Sequence, residues 1–94
     1  MSQYLVGSIN WNAGSVSDEA EAVQEITVTG AALGDYCEVT SSLDVIDLEL
    51  SAQVTAANTV TVSLSNLTSG SLDIGSPDIY VRVTSRSGMG QADV

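Results

Sequence analysis

Residues 48–65 read LELSAQVTAANTVTVSLS. In both halves of this stretch, apolar residues occupy every second position, and small polar or acidic residues occupy most positions between them. Because successive side chains of a β-strand point to opposite faces, the alternation predicts two strands, each with one buried and one solvent-facing side. The short connection at residues 55–58 predicts that the two strands form an antiparallel hairpin.

Three further segments alternate in the same way, at residues 20–29, 36–40 and 79–84. Gly30 ends the first of them and opens a turn, and Pro77 suits the entry to the last strand. Cys37 falls on the apolar side of its segment, so we expect this thiol to act as a small core side chain.

The first quarter of the chain is less regular and leaves alternatives open. Residues 4–9 are consistent with a short strand. The acidic run at residues 15–25 is consistent with a capped helix, but the alternation that begins at Ala20 favours a strand. The predicted fold is all-β: one domain of residues 1–94, a small antiparallel β-sandwich that is jelly-roll-like or barrel-like. Residues 1–20 form an N-terminal arm or short strand in this prediction, residues 21–84 the sandwich and residues 85–94 a tail.

The charge balance excludes several classes of partner. The 94 residues include twelve acidic side chains, two arginines, no lysine and no histidine, for a net charge of −10. Binding to a phosphate backbone depends on lysine and arginine, so we expect no nucleic acid partner, and anionic membrane surfaces are disfavoured for the same reason. No segment approaches the ~20 apolar residues of a spanning helix. The first residues lack the features of a secretion signal, which predicts synthesis in the cytoplasm.

The missing residue types also bear on catalysis. Without histidine or lysine there is no serine or cysteine triad and no Schiff-base lysine. Carboxylate pairs remain, such as Asp44 with Asp47 or Asp35 with Glu38. Close pairs arise by chance among twelve acids, and no loop has the calcium-binding pattern. One cysteine provides neither an internal disulfide nor a zinc-ligand spacing. We therefore predict a protein that is not an enzyme and that has no cofactor and no metal site. The remaining alternative from the residues alone is a small carboxylate enzyme, which requires a pocket with paired acids and which the composition disfavours.

The order of elements resembles a known group of proteins. Its most distinctive pieces are the turn GAALGD at residues 30–35 and the hairpin VTAANTV at residues 54–60, followed by NLTSG at residues 66–70 and IYVRV at residues 79–83. Across residues ~20 to 84 the chain resembles small structural proteins of tailed bacteriophages, and it is most similar to head decoration (cement) proteins.

This resemblance implies a non-enzymatic virion protein on the outer surface of the capsid. Cement proteins of this kind form homotrimers that clamp neighbouring major capsid proteins and stabilise the shell. Similar modules occur in phage tails and fibres, so the alternative is a tail or fibre module that binds a carbohydrate or host surface. That alternative predicts exposed aromatic residues around a groove.

We expect the subunit or capsid interface to use the few aromatic side chains, one exposed leucine and the two cations, because aromatic anchors and arginine dominate protein interfaces. The candidates are Tyr4, Trp11, Tyr36, Leu67, Tyr80, Arg82 and Arg86. Trp11 also suits the role of a core plug, and Tyr80 that of a cover for a sheet face. At least one arginine is expected to pair with an acid across a subunit contact.

Two further expectations concern the chain ends and one turn. The N-terminal segment and the tail suit β-augmentation, in which an extended segment adds to the sheet edge of a neighbour. Asn66, Leu67 and Thr68 match the glycosylation acceptor pattern, which without a secretion signal is interpreted as a turn.

Overall fold

The computed structural model of this chain describes residues 4–85. That part of the chain contains six strands and no helix: β1 (Tyr4–Asn10), β2 (Glu21–Thr27), β3 (Tyr36–Ser41), β4 (Leu48–Ala56), β5 (Thr59–Asn66) and β6 (Asp78–Thr84). All pairings are antiparallel, and they produce two sheets with the orders β1-β6-β3 and β2-β5-β4. We call these the β6 sheet and the β5 sheet, after their central strands. The predicted β-sandwich is confirmed, as two separate sheets rather than a closed barrel.

The hairpin predicted from residues 48–65 is β4 with β5. The two strands pair from Leu48 with Asn66 to Ala56 with Thr59, with an irregularity between Val54 and Ala56. At the turn, Asn58 adopts a φ of 63°, in the left-handed region that asparagine tolerates better than most residues. The polar connection therefore meets a specific backbone requirement.

The N-terminal quarter belongs to the sandwich. The acidic run leads into strand β2, so the strand preferred over a capped helix is confirmed. The short strand considered for residues 4–9 is present as β1, and all seven of its residues pair with β6, so this segment is an edge strand of the β6 sheet. An isolated bridge joins Val16, in the connection from β1 to β2, to Leu72, in the connection from β5 to β6. Residues 1–3 and 86–94, including most of the predicted tail, lie outside the described part.

The core lies between the inner faces of the two sheets. On β5, every second side chain is almost completely buried, namely the apolar Val60, Val62 and Leu64 and the polar Asn66, and on β6 the same holds for Ile79, Val81 and Val83. Trp11 closes the core at 8% exposure, and its backbone N–H donates to the carbonyl of Pro77 at 3.0 Å. Trp11 is thus a core plug, which takes it out of the exposed interface candidates.

Gly7 allows the two sheets to approach each other closely at β1. A Cβ atom at this position would lie 2.8 Å from Cγ2 of Val28 and 3.3 Å from Cγ2 of Ile26, both buried core side chains. Any larger side chain would push β1 away from the β5 sheet, because packed interiors absorb added volume poorly.

The two most distinctive turns of the sequence are hydrogen-bonded to each other. The Oδ1 atom of Asn58 accepts from the N–H of Gly30 at 2.8 Å, and the N–H of Asn58 donates to the carbonyl of Ala31 at 2.8 Å. The carbonyl of Asn58 accepts from the N–H of Val28 at 2.9 Å. The tip of the hairpin is therefore fixed to the turn that follows β2.

Asn66 organises the opposite end of the sandwich. Its side chain is fully buried, and Nδ2 donates to the carbonyls of Val16 and Gly70, each at 2.8 Å. Oδ1 accepts from the N–H of Thr68 at 2.9 Å and from its hydroxyl at 2.7 Å. The segment that matches the glycosylation acceptor pattern, residues 66–68, is a turn, as expected, and the amide nitrogen of Asn66 is buried.

We expect Asn66→Asp to lower the free energy of unfolding by about 2–4 kcal/mol, because a carboxylate cannot donate to the carbonyls of Val16 and Gly70 and is itself costly to bury. Urea unfolding followed by the fluorescence of the buried Trp11 measures the change. The control is Asn12→Asp, since exposed Asn12 only accepts from the N–H of Gly14, which a carboxylate also does. Equal stability of the two variants would contradict a structural role for the Asn66 network.

Candidate functional site

The outer surface of the β6 sheet carries three of the four aromatic residues of the chain. We call this surface the tyrosine face and define it by Tyr4 and Val6 on β1, Tyr36 and Glu38 on β3, and Tyr80 and Arg82 on β6. Its apolar side chains are well exposed: Val6 at 69%, Tyr36 at 55%, Tyr4 at 53% and Tyr80 at 44%. Large aromatic side chains left in water on one sheet surface are typical of an interaction site.

Strand register brings these residues together. Tyr4 and Tyr36 both lie opposite Thr84, one on each side of the central strand. Val6 and Glu38 flank Arg82 in the same manner. Each strand contributes its outward alternate residues, so positions far apart in the sequence form adjacent rows on one surface.

Arg82 pairs with a carboxylate of its own chain. Its Nε donates to Oε1 of Glu38 at 2.7 Å, and its Nη2 also donates to that oxygen. The guanidinium carbon lies 5.7 Å from the centre of the Tyr4 ring, within cation–π range. Arg82 therefore has an acidic partner on the neighbouring strand of its own chain, and an arginine–acid pair across a subunit contact stays a prediction. The pair of Arg82 with Glu38 also leaves the tyrosine face with little net charge at its centre.

A shallow groove of about 650 Å³ lies at the centre of the tyrosine face. All three strands line it, with Tyr80, Arg82 and Glu38 beside the hydroxyls of Ser8 and Thr40. The groove thus combines an aromatic ring, an ion pair and small hydroxyl groups, a mixture that suits contact with either a protein or a polar organic ligand.

The outer surface of the β5 sheet has a different chemistry. It carries Glu21, Glu25 and Glu49 with a row of small hydroxyl side chains. Two cross-strand hydroxyl pairs lie on it, Ser51 with Ser63 at 2.8 Å and Thr55 with Thr61 at 2.7 Å. Acids and satisfied hydroxyls favour solvent, so the two outer surfaces of the sandwich differ in what they can bind.

The other interface candidates lie apart from the tyrosine face. Leu67 is 70% exposed in the turn after β5, on the other sheet. Arg86 lies outside the described residues. The sequence interpretation missed Val6, although its position two residues after Tyr4 places both on the same side of a strand. It also missed exposed Leu43 and Ile46, which lie in a loop without periodicity.

Two of the carboxylates considered for catalysis or metal binding, Asp35 and Asp44, have local roles in turns. Oδ2 of Asp35 accepts from the N–H of Ala32 at 3.0 Å, and Oδ1 of Asp44 accepts from the N–H of Ile46 at 2.8 Å. Within residues 4–85, no three cysteine or acidic side chains are grouped so that they could hold a metal ion. These acids therefore stabilise loop conformations.

Comparisons with protein-family profiles and with curated proteins find no match for this chain. Over residues 4–85 there is also no helix of the length and apolarity needed to cross a bilayer.

Cys37 lies on β3 with its side chain directed to the core, as expected, and it packs against the buried cluster. Burial raises the pKa of its thiol, and the neighbouring charge of Glu38 raises that pKa further. The folded state therefore holds the thiol proton more tightly than the unfolded chain does. This contribution to stability is complete below the pKa of the unfolded thiol and is lost as pH rises through that of the folded thiol.

We expect iodoacetamide at pH 8 to alkylate Cys37 severalfold more slowly in the folded protein than in urea, because the thiolate is the reactive form. Mass spectrometry of timed samples measures the rate. Glu38→Gln removes one cause of the raised pKa and should accelerate the reaction of the folded protein. Rates that are equal in buffer and in urea would contradict this assignment.

Proposed function

We propose that this chain is a non-enzymatic virion structural protein, a capsid decoration protein that binds the shell of major capsid protein as a homotrimer and stabilises it. The tyrosine face is the observation that carries the proposal: one surface of the sandwich presents tyrosines and a valine that the fold does not cover. The resemblance to cement proteins supplies the location and the number of subunits.

The charge distribution supports self-contact at the tyrosine face. A chain with a net charge of −10 is repelled by its copies over most of its surface. On the tyrosine face, the charge of Glu38 is offset by Arg82, so copies can approach there at the least electrostatic cost. Three β6 sheets turned towards a common axis would bury Tyr4, Tyr36 and Tyr80 of each copy, which gains apolar burial and aromatic contacts.

The remaining surface suits the outside of a particle. Glu21, Glu25 and Glu49 on the β5 sheet would face solvent in such a trimer. Like charge on every decorated particle opposes association between particles, which is the ordinary effect of a high net charge on solubility.

We expect Val6→Asp to convert the trimer to monomers and to weaken binding to capsids, because it adds a charge to the centre of the contact. Val23→Asp is a matched control: Val23 is 54% exposed on an edge strand of the other sheet, and both variants have the same net charge. Light scattering gives the mass of each protein, and co-sedimentation with capsids assembled without the protein gives binding. The proposal is contradicted if the wild-type protein is a monomer that does not bind capsids. If the two variants have the same mass and the same capsid binding, the tyrosine face is not the contact between subunits.

The second candidate function is a tail or fibre module that binds a carbohydrate or host surface. The groove favours it, since an exposed Tyr80 ring beside the polar groups of Arg82, Glu38 and Thr40 can contact both the apolar and the hydroxyl sides of a sugar.

This candidate predicts that immobilised neutral oligosaccharides retain the wild-type protein and that Tyr80→Ala abolishes the retention. Val23→Ala, which removes an exposed side chain from the opposite sheet, should leave retention unchanged. Affinity chromatography measures both effects. If the wild-type protein passes unretained through a panel of such columns, this candidate is wrong.

A further inference from the structure

Three further exposed apolar side chains lie at the end of the sandwich where β4 begins and β5 ends. Leu43 and Ile46 belong to the loop that precedes β4, and Leu67 follows β5 directly. They are 48%, 51% and 70% exposed. Leu48 pairs with Asn66 at the end of the sheet. Ile46 precedes Leu48 by two residues and Leu67 directly follows Asn66, so both lie just beyond this pair. We call Leu43, Ile46 and Leu67 the apolar tip.

Ile46 occupies a backbone conformation that its side chain disfavours. Its φ is 58°, in the left-handed region, where a β-branched residue is a conformational outlier and is strained. The turn is fixed by Asp44, which accepts from the N–H of Ile46, and by a bond from the N–H of Leu48 to the carbonyl of Val45 at 3.0 Å. Glycine or asparagine would fit this turn with less strain.

Burial offsets this strain only in part, because about half of Ile46 is exposed to solvent. Residues held in sparsely populated conformations are found where a binding or catalytic role requires them. Ile46 and its exposed neighbours are consistent with such a role in binding.

Charge around the apolar tip indicates what can cover it. Asp44 and Asp47 flank Ile46 on the same loop, and both are exposed. The cation of the described residues, Arg82, lies on the β6 sheet and is paired with Glu38. A second copy of this chain would bring the same acidic rim to the contact and be repelled. Complementarity instead favours a surface with an apolar pocket and lysine or arginine at its edge.

We propose that the apolar tip docks into an apolar pocket rimmed by basic side chains on a different protein, with Ile46 as its central anchor. The inference rests on the proposed function, in which that protein is the capsid subunit. The tyrosine face then holds copies of this chain together, and the apolar tip attaches them to the shell. Each surface has one kind of partner.

The decisive variant is Ile46→Asn, made in the full chain. Asparagine relieves backbone strain, so we expect Tm to rise by about 5 °C while affinity for capsids falls at least about tenfold. A variant that is more stable but binds less cannot be explained by misfolding. The matched control is Leu33→Asn, which removes an exposed leucine at the opposite end of the sandwich, in the turn after β2, and should leave binding unchanged.

Co-sedimentation with capsids assembled without the protein measures affinity, in 50 mM and in 500 mM NaCl. Wild-type binding should weaken in high salt, and Asp47→Asn should reduce that salt dependence. Capsid binding by Ile46→Asn equal to that of the wild type overturns the inference and leaves the proposed function intact. If the binding of the wild-type protein to capsids does not depend on salt, the proposed basic side chains around the partner's pocket are wrong. A wild-type protein that does not bind capsids overturns both the proposed function and this inference.

Discussion

The sandwich depends on the contact between the buried faces of its two central strands. The alternate residues of β5 and β6 that face inward are 0–2% exposed, and all of them except Asn66 are valine, leucine or isoleucine. A core of such small side chains stays well packed only if the sheets lie close together. Gly7 permits that approach at β1, and Asn66 closes one end without leaving a buried polar atom unpaired. Because these features occupy the inner faces, the outer faces are free to differ in chemistry.

The alternation of residue types was sufficient to predict most of the strands, because a period of two specifies which side of a strand is buried. It was also sufficient for the hairpin, since a short polar connection ending in Asn58 suits a left-handed turn position. It did not predict that β1 joins the sheet of β6. That pairing links Tyr4 to Thr84, eighty residues away, and strand alternation carries no information about which distant strand is the partner.

The candidate site was predictable from the sequence to the same extent, in its residue types but not in their arrangement. Tyr4, Tyr36 and Tyr80 were each identifiable as interface candidates from residue type, but their arrangement on one surface follows from strand order. Strand order also places Glu38 beside Arg82 within the chain, a pair that the spacing of the two residues in the sequence does not indicate. Ile46 lies in a loop and therefore has no periodic signal in the sequence. Its backbone conformation and its exposure in the structure identify it as a candidate binding residue.

The two exposed apolar surfaces differ in how they respond to charge, and this difference bears on assembly under the proposed function. The tyrosine face has an internally neutralised pair at its centre, so contacts made there depend mainly on apolar burial and change little with ionic strength. The apolar tip is flanked by Asp44 and Asp47 with no nearby cation among residues 4–85, so its contacts strengthen towards a basic surface and weaken with screening. A molecule with these two surfaces can associate with its copies and with an unlike partner without the two contacts competing. Under the proposed function, the high negative charge would help to distinguish the two partners, because it opposes contact between copies over most of the surface outside the tyrosine face.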